Sequence, residues 1–542
     1  MEGAIKTRIG GHVVVETLEA LGAEVAFGLP GVHALAMWEA LRTSDVRYAG
    51  FRTELCAGFA ADGYARVSGR PAPLLLSTGP GALNSLTALM EAASAHVPVV
   101  AIASQIPRDF VGRGRGYLHE LPDQLASFAP VVKWAVRAWA AEEVPELLAE
   151  CWRRAIHPPS GPVFLEIPVD VLTGETSAAP VEVDGKPSAL PLPAAEALDE
   201  AARLLGQAEA PVIWAGGGVL RAGAWEELAA LAERLGAPVA STYMGKGAFP
   251  EDHPLAAGSA CDEAAYRELV ASADVLLCVG TELGAETTGQ YELEPRGTLV
   301  QIDAAPERIG RTYPALTLAG DAKAVLAALL ERVPERRADG AAETRAREVA
   351  ERIERGLAEQ GRELERGLLV DLRGALPRDA VTAWDMTILG YWAAAHFPTY
   401  APRRFLYPLG SGTLGYAWPA ALGAALALPG TPALAVVGDG GVLYGLQELA
   451  SARQLGLGVV LLVVDDGGYG ILREYQRDSF GETYAVDLVQ PDFAAVARAF
   501  GVETQMVRPE EAGSAVERAL AGEGPALLHL PALLEMWQPT AS

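Results

Sequence analysis

Short apolar, β-branched runs alternate with longer stretches of helical spacing along nearly the whole chain, and this alternation restricts the fold more than any other feature. EVAFG (24–28), PLLLS (73–77), VPVVAIA (97–103) and VFLEIP (163–168) read as strands buried on both faces. Between them, 33–42, 55–68 and 81–94 place apolar residues at helical spacing. Residues 172–193 interrupt the rhythm with proline, small residues and scattered charge, the composition of a linker. The alternation resumes at PVIWAG (211–216), DVLLCVG (274–280) and TLVQID (298–303), and again at AVTAW (380–384), PALAVVG (432–438), VVLLVVD (459–465) and PALLHL (525–530). This predicts an α/β protein of three doubly wound parallel sheets with domains at 1–175, 190–335 and 350–542, in keeping with a length of 542 residues. The Arg-, Glu- and Ala-rich stretch 335–366 reads as an exposed, salt-bridge-laced helix joining two domains.

Charge and cysteine usage remove several function classes. A formal net charge of -26 repels nucleic acid and anionic lipid. Cys56, Cys151, Cys261 and Cys278 are far apart and form no CxxC pair, so neither a disulfide framework nor a zinc site is expected, and a reducing compartment fits. No run of about 20 apolar residues occurs, and the N-terminus has no signal-peptide pattern. The expectation is a cytoplasmic protein acting on a small molecule.

The segment from Gly438 to Gln476 carries the chemistry. An apolar strand ends in Gly438-Asp439-Gly440-Gly441, a helix over about 442–455 returns the chain, and the next strand ends in Asp465-Asp466-Gly467-Gly468. Open α/β sheets bind ligands at the carboxyl ends of their strands. Glycines there let the backbone approach a phosphate. Asp439 and Asp466 from two neighbouring strand tips suit Mg2+, a hard ion that prefers carboxylate, carbonyl and phosphate oxygens.

This unit resembles the cofactor motif of thiamine-diphosphate enzymes, in which GDG is followed about two dozen residues later by a polar pair. The pair is usually two asparagines, and the Asp465-Asp466 of this chain departs from that pattern. The likeness extends to 27–41, 51–72, 77–108, 116–135, 244–258 and 410–425, and is to the group containing acetolactate synthase, benzoylformate decarboxylase and pyruvate decarboxylase. It implies pyrimidine-binding, central and diphosphate-binding domains, with thiamine diphosphate and Mg2+ as cofactors. Glu54 would hydrogen-bond the cofactor's aminopyrimidine ring. Asp439, Asp466 and the Gly468 carbonyl would ligate Mg2+. Pro30, Gly79, Asn84, Met386, Thr387, Gly440, Gly441, Tyr469, Gly470 and Ile471 would contact the cofactor, with Gly412 accepting from its amino group and Leu414 propping its bent shape. His33, His119, Glu120, Gln105 and Gln124 are the candidates on the substrate side, and Tyr469, Leu472 and Tyr475 for the acyl pocket.

For the reaction, the resemblance implies decarboxylation of a 2-oxo acid. Segments 116–135 and 244–258 favour transfer of the acyl group to a second 2-oxo acid, as in acetolactate synthases. The PGVH turn and LHE segment also resemble 5-guanidino-2-oxopentanoate decarboxylase, whose cationic substrate would suit an acidic pocket supplied by Glu120 or Glu474. Leu76-Ser77-Thr78 lacks the histidine of benzoylformate decarboxylase. FAD, which acetolactate synthases hold in the central domain, is disfavoured because GTELGAETTG (280–289) lacks the expected basic residue. A non-catalytic relative is the alternative of another class, against which the intact Glu54 and GDG speak. The family pattern, in which the glutamate of one subunit reaches the cofactor of another, implies a homodimer at minimum; a homotetramer is common among relatives. If Leu414 props the cofactor, Leu414→Ala should bind thiamine diphosphate more loosely in calorimetry while its thermal unfolding stays near that of the parent.

Overall fold

The computed structural model describes residues 7–179, 186–336 and 339–540. Three parallel sheets, all with buried central strands, form the frame. The first contains β1 (Val25–Gly28), β2 (Arg47–Gly50), β3 (Ala72–Leu76), β4 (Val99–Gln105), β5 (Trp134–Arg137) and β6 (Val163–Pro168), in the order β2-β1-β3-β4-β6-β5. The second contains β7 (Val212–Ala215), β8 (Val239–Ser241), β9 (Val275–Val279), β10 (Thr298–Asp303) and β11 (Leu316–Ala319), ordered β11-β10-β9-β7-β8. The third contains β12 (Val381–Trp384), β13 (Phe405–Leu406), β14 (Ala433–Gly438), β15 (Val459–Asp465), β16 (Glu503–Met506) and β17 (Ala526–Pro531), ordered β13-β12-β14-β15-β17-β16. The first and third sheets thus share one topology. All three contain the doubly wound reversal between their first and third strands, the place where such sheets open a ligand crevice.

Every strand expected from the sequence is present within one or two residues. The strands not anticipated are β2, β5, β8, β11, β13 and β16. Most are short edge strands with mixed exposure, such as β16, whose four residues are mostly exposed, and so lack a continuous apolar signature. The linker expected at 172–193 begins later, since Val169–Thr173 is helical; its residues 180–185 lie outside the described ones, as do 1–6 of the N-terminal reading. The helix expected at 442–455 is two pieces, Asp439–Val442 and Glu448–Leu455. The 335–366 stretch is likewise not an all-round exposed helix. Helix Ala341–Ala358 buries Ala342, Ala346, Val349, Ile353 and Leu357, and a second helix, Glu363–Gly374, follows. These positions repeat at three and four residues, so they form one buried stripe. The expected ion pairs occupy the opposite face, among them Arg347–Glu351 and Arg366–Glu354.

The described residues fall into two compact units. One holds those of Met1–Ser188 with Pro408–Gly430 and Leu443–Val459; the other holds Ala189–Tyr407, Thr431–Val442 and Val460–Ser542. Within the first, helix Glu54–Ser68 crosses helix Ala417–Ala427 at backbone contact. A Cβ on Gly63 would overlap the Ala420 carbonyl, and one on Gly423 the Ala60 carbonyl, so glycine is required at both crossings. A buried polar cluster fixes the same region. Arg66 pairs with Asp62 at 2.6 Å and Glu91 at 2.7 Å, Tyr416 donates to Asp62 at 2.7 Å, and Glu91 accepts from Ser411 N at 2.7 Å.

Both carboxylates of that cluster are fully enclosed, so removing the cation between them leaves buried charge uncompensated, at a cost of about 3–5 kcal/mol. Arg66→Leu should therefore lower the urea unfolding midpoint markedly. A midpoint equal to that of the parent would show the cluster to be energetically neutral.

Candidate functional site

The tips of β14 and β15 are neighbours in the third sheet, and each delivers an acidic residue. Asp439 opens the turn after β14 and is 1% exposed; Asp466 follows β15. Their charges act on each other. Burial first, and then Asp466 and Asp465, push the Asp439 carboxyl up to about 7. Burial raises Asp466 as well, against Arg473, which stands 3.9 Å away. One oxygen of Asp439 accepts from Gln490 Nε2, while Asp466 Oδ1 and Gln490 Oε1 are buried without a hydrogen bond. Two apposed carboxylates with an unbonded buried oxygen form a donor set that a hard divalent cation would complete. Among the described residues no three acidic, histidine or cysteine side chains form a metal cage on their own. Mg2+ characteristically uses only one or two carboxylates, the rest being phosphate and water oxygens.

The neighbouring backbone is built for close approach. A Cβ on Gly470 would overlap the second Asp466 oxygen, and one on Gly440 would enter the Tyr469 ring. Thr387 Oγ1 lies against Gly438, which brings the Met386-Thr387 turn after β12 to the same strand tips. Thr387 caps helix Ile388–His396, and Tyr469 caps helix Gly470–Phe480, so two helix N-termini face this region with the polarity that favours anions. Gly441 and Ile471 are buried beside them. Asp465 is held differently from Asp466: it accepts from His529 Nε2 at 2.8 Å and from Gly467 N at 3.0 Å. Of the acidic pair, Asp466 therefore keeps the free oxygen. The loop at 484–490 closes on this turn, with Tyr469 N donating to Val486 O at 2.8 Å and Leu488 N to Gly467 O at 2.9 Å.

A second cluster lies at the tips of β1, β2 and β3 in the first sheet. Glu54 is the first residue of helix Glu54–Ser68, behind Thr53, whose hydroxyl accepts from Cys56 N at 3.2 Å. The carboxylate is 7% exposed; Oε2 accepts from Asn84 at 3.1 Å and Oε1 faces Gly81. Gly81 also touches Ser77, on which Gly31 of the Pro30-Gly31 turn rests, and Gly79 (φ 64°) packs on the His119 backbone. Glu54, Asn84, Pro30, Gly79 and His119 are thus contiguous. His33 and His119 stack edge to face at 5.2 Å, each with a buried Nδ1 that makes no hydrogen bond. Burial, then the His119 charge, holds His33 below the usual imidazole range, so it is a neutral proton acceptor at pH 7.

The polar residues around this cluster divide by what they touch. Gln124 is fully buried and spends its amide on the scaffold: Oε1 accepts from Gly79 N at 2.7 Å, while Nε2 donates to Ser104 O at 3.1 Å and Glu166 at 2.9 Å. Gln105 donates to the same Glu166 at 3.1 Å, and Arg137 pairs with it. These two glutamines therefore act as positioning residues for the Gly79 loop. Glu120 ties its own loop, accepting from Tyr117 N at 2.9 Å, and those backbone bonds hold its carboxyl below the usual range. Gly412 takes a left-handed turn (φ 68°) and, with the half-buried Leu414, follows Ser411, which is anchored to Glu91. Gln490, Ser77, Gly81 and Glu166 were not singled out from the sequence, because only the folded loops reveal their contacts.

In the second sheet, the glycine run after β7 has a packing role. A Cβ on Gly216 or Gly218 would collide with the Gly280 backbone after β9.

Two glycine-lined clusters at the carboxyl ends of doubly wound sheets, one acidic and one with a buried glutamate beside unbonded imidazoles, define a multidomain α/β protein that handles a phosphorylated cofactor. Residues 8–127 match the N-terminal thiamine pyrophosphate-binding domain of thiamine pyrophosphate enzymes, 198–329 their central domain and 385–530 their C-terminal thiamine pyrophosphate-binding domain. The chain belongs to the thiamine-diphosphate-dependent, acetolactate synthase-like family. It is 39% identical over 503 residues to the probable 2-ketoarginine decarboxylase AruI of Pseudomonas aeruginosa, covering 92% of this chain and 89% of that protein. It is 32% identical to the probable acetolactate synthase large subunit of Methanocaldococcus jannaschii, over 96% of this chain and 91% of the relative. The acetolactate synthase of Mycobacterium bovis is also 32% identical, over 96% and 87%. No helix among the described residues is long and apolar enough to cross a membrane.

Gly470→Ala should drive a methyl group into the Asp466 carboxylate. The expected outcome is at least a tenfold loss of Mg2+-dependent thiamine diphosphate affinity in calorimetry, with little change in circular dichroism.

Proposed function

We propose that this chain decarboxylates a 2-oxo acid with thiamine diphosphate and Mg2+. The observation that carries the reading is the Asp439–Asp466 pair at adjacent strand tips, buried Asp439 beside half-buried Asp466 with its unbonded oxygen. In this reading Asp439, Asp466 and the Gly468 carbonyl hold the ion, and Met386, Thr387, Gly440, Gly441, Tyr469, Gly470 and Ile471 hold the diphosphate. Bound thiamine diphosphate supplies a nucleophilic carbon and an electron sink for loss of CO2. The Glu54 carboxyl oxygen that Asn84 leaves open would share a hydrogen bond with a ring nitrogen of the cofactor. Pro30, Gly79, Gly412 and Leu414 shape the cofactor's surroundings. His33 and His119 hold or move a proton at their unbonded Nδ1 atoms. The proposal also takes in a homodimer, or a homotetramer, with the small 2-oxo acid as the partner; FAD stays outside it.

The acyl fragment has two fates. Protonation and release as an aldehyde is placed first, because the 39% identical relative is named a decarboxylase. Transfer to a second 2-oxo acid is the other reading, favoured by the acetolactate synthases at 32% identity. A panel of 2-oxo acids with both cofactors, following CO2 and carbon products, separates the two. Glu54→Gln should lower turnover by orders of magnitude while circular dichroism and Mg2+ binding persist. Turnover within a few-fold of the parent would overturn the role given to Glu54.

A further inference from the structure

Phe51, Arg52 and Thr53 join β2 to the helix that begins at Glu54, and what holds them decides where the Glu54 carboxylate sits. Phe51 is buried and donates its N–H to Gly28 O at 3.2 Å. The Thr53 hydroxyl caps the helix. Arg52, between them, has an exposed side chain, but its N–H points to both oxygens of Glu448, at 2.9 and 3.1 Å. Glu448 lies 396 residues further along the chain, at the start of helix Glu448–Leu455, in the same compact unit.

Glu448 is fully buried and also accepts from Ser451 Oγ at 2.5 Å. An enclosed carboxylate is costly unless hydrogen bonds offset its lost hydration. An acid at a helix start is ordinarily explained by the helix dipole. That does not account for where these oxygens go, which is across to the main chain two residues before Glu54. The rest of the segment grips the same turn. Arg52 Nη2 donates to Gln454 Oε1 at 2.7 Å, and Arg47 Nη2 to Leu455 O at 3.2 Å. On the other side of Glu54, Cys56 Sγ approaches Tyr444 O at 3.6 Å, and a Cβ on Gly445 would press on that sulfur at 3.3 Å. Residues 444–455 therefore hold the chain at 52 and at 56, on both sides of Glu54. The Glu54 oxygens themselves face Asn84 and Gly81.

We infer that Glu448 is a positioning residue: by holding the Arg52 N–H it sets the main chain from which the Glu54 carboxylate reaches the cofactor's aminopyrimidine ring. This rests on the role given to Glu54 above, and the experiment keeps the two apart. Thiamine diphosphate affinity is measured by calorimetry with Mg2+ for the parent, Glu448→Ala, Glu54→Ala and the double variant. Amide exchange over 51–56 is followed in the same proteins without cofactor. Glu448→Ala should speed exchange at Arg52 and weaken affinity about tenfold, the size of one lost hydrogen bond. The double variant should bind no more weakly than Glu54→Ala, because Glu448 acts through Glu54. Glu448→Gln keeps an acceptor for the Arg52 N–H and should restore most of the protection and affinity. If Glu448→Ala does not fold, Glu448→Asp, which withdraws the carboxylate by one methylene, goes through the same cycle. Losses that add in the double variant, or unchanged exchange at Arg52, overturn the positioning role and leave the Glu54 reading standing. A Glu54→Ala protein with the parent's affinity removes the Glu54 reading, and the role of Glu448 with it.

Discussion

Two carboxylates forced together at the tips of adjacent strands are the constraint on which the third sheet's ligand end depends. Burial alone penalises one charge at such a place; a second like charge beside it deepens the penalty. The surrounding structure reduces rather than removes the conflict. Gln490 donates to Asp439, Arg473 approaches Asp466, and His529 holds Asp465. Glycine at 470 is required because any side chain there would occupy the Asp466 oxygen's space. Unrelieved acidity of this kind is the electrostatic mark of a functional site, and it is the feature on which the proposed cation rests.

The first sheet solves the opposite problem with the same strand order. Its tips hold one buried carboxylate, Glu54, and spend the other nearby acid, Glu166, on the scaffold. Gln105, Gln124 and Arg137 converge on Glu166, and through Gln124 that network fixes the Gly79 turn. Glu54 keeps an oxygen free of such ties. The polarity of each cluster thus follows from which acids are neutralised and which are left open.

Much of this was legible in the chain. The central strands announce themselves because burial on both faces demands unbroken apolar runs, as in Val459–Asp465. The GDG turn and the Asp465-Asp466 pair are local in sequence and fall at strand ends by simple counting. Less legible was the division of labour within like residues. The family resemblance picked Asp466 over Asp465, but the physical difference between them comes from the fold: His529, 64 residues away, and Gly467 N hold Asp465, while Asp466 keeps an unbonded oxygen. Nothing local in sequence reveals the three bonds by which Gln124 ties the Gly79 turn to Ser104 and Glu166. Edge strands such as β5 and β16 escaped because partial exposure erases the apolar run that marks a central strand.

By itself, the sequence determined the three-sheet α/β architecture, the location of the glycine turns and the family, since these follow from local hydrophobic periodicity and contiguous motifs. Only the tertiary structure decided which carboxylates stay unbonded and which amides are committed to the scaffold. The reason is that hydrogen-bond satisfaction and electrostatic coupling depend on distances between residues remote in the chain, which no local pattern encodes.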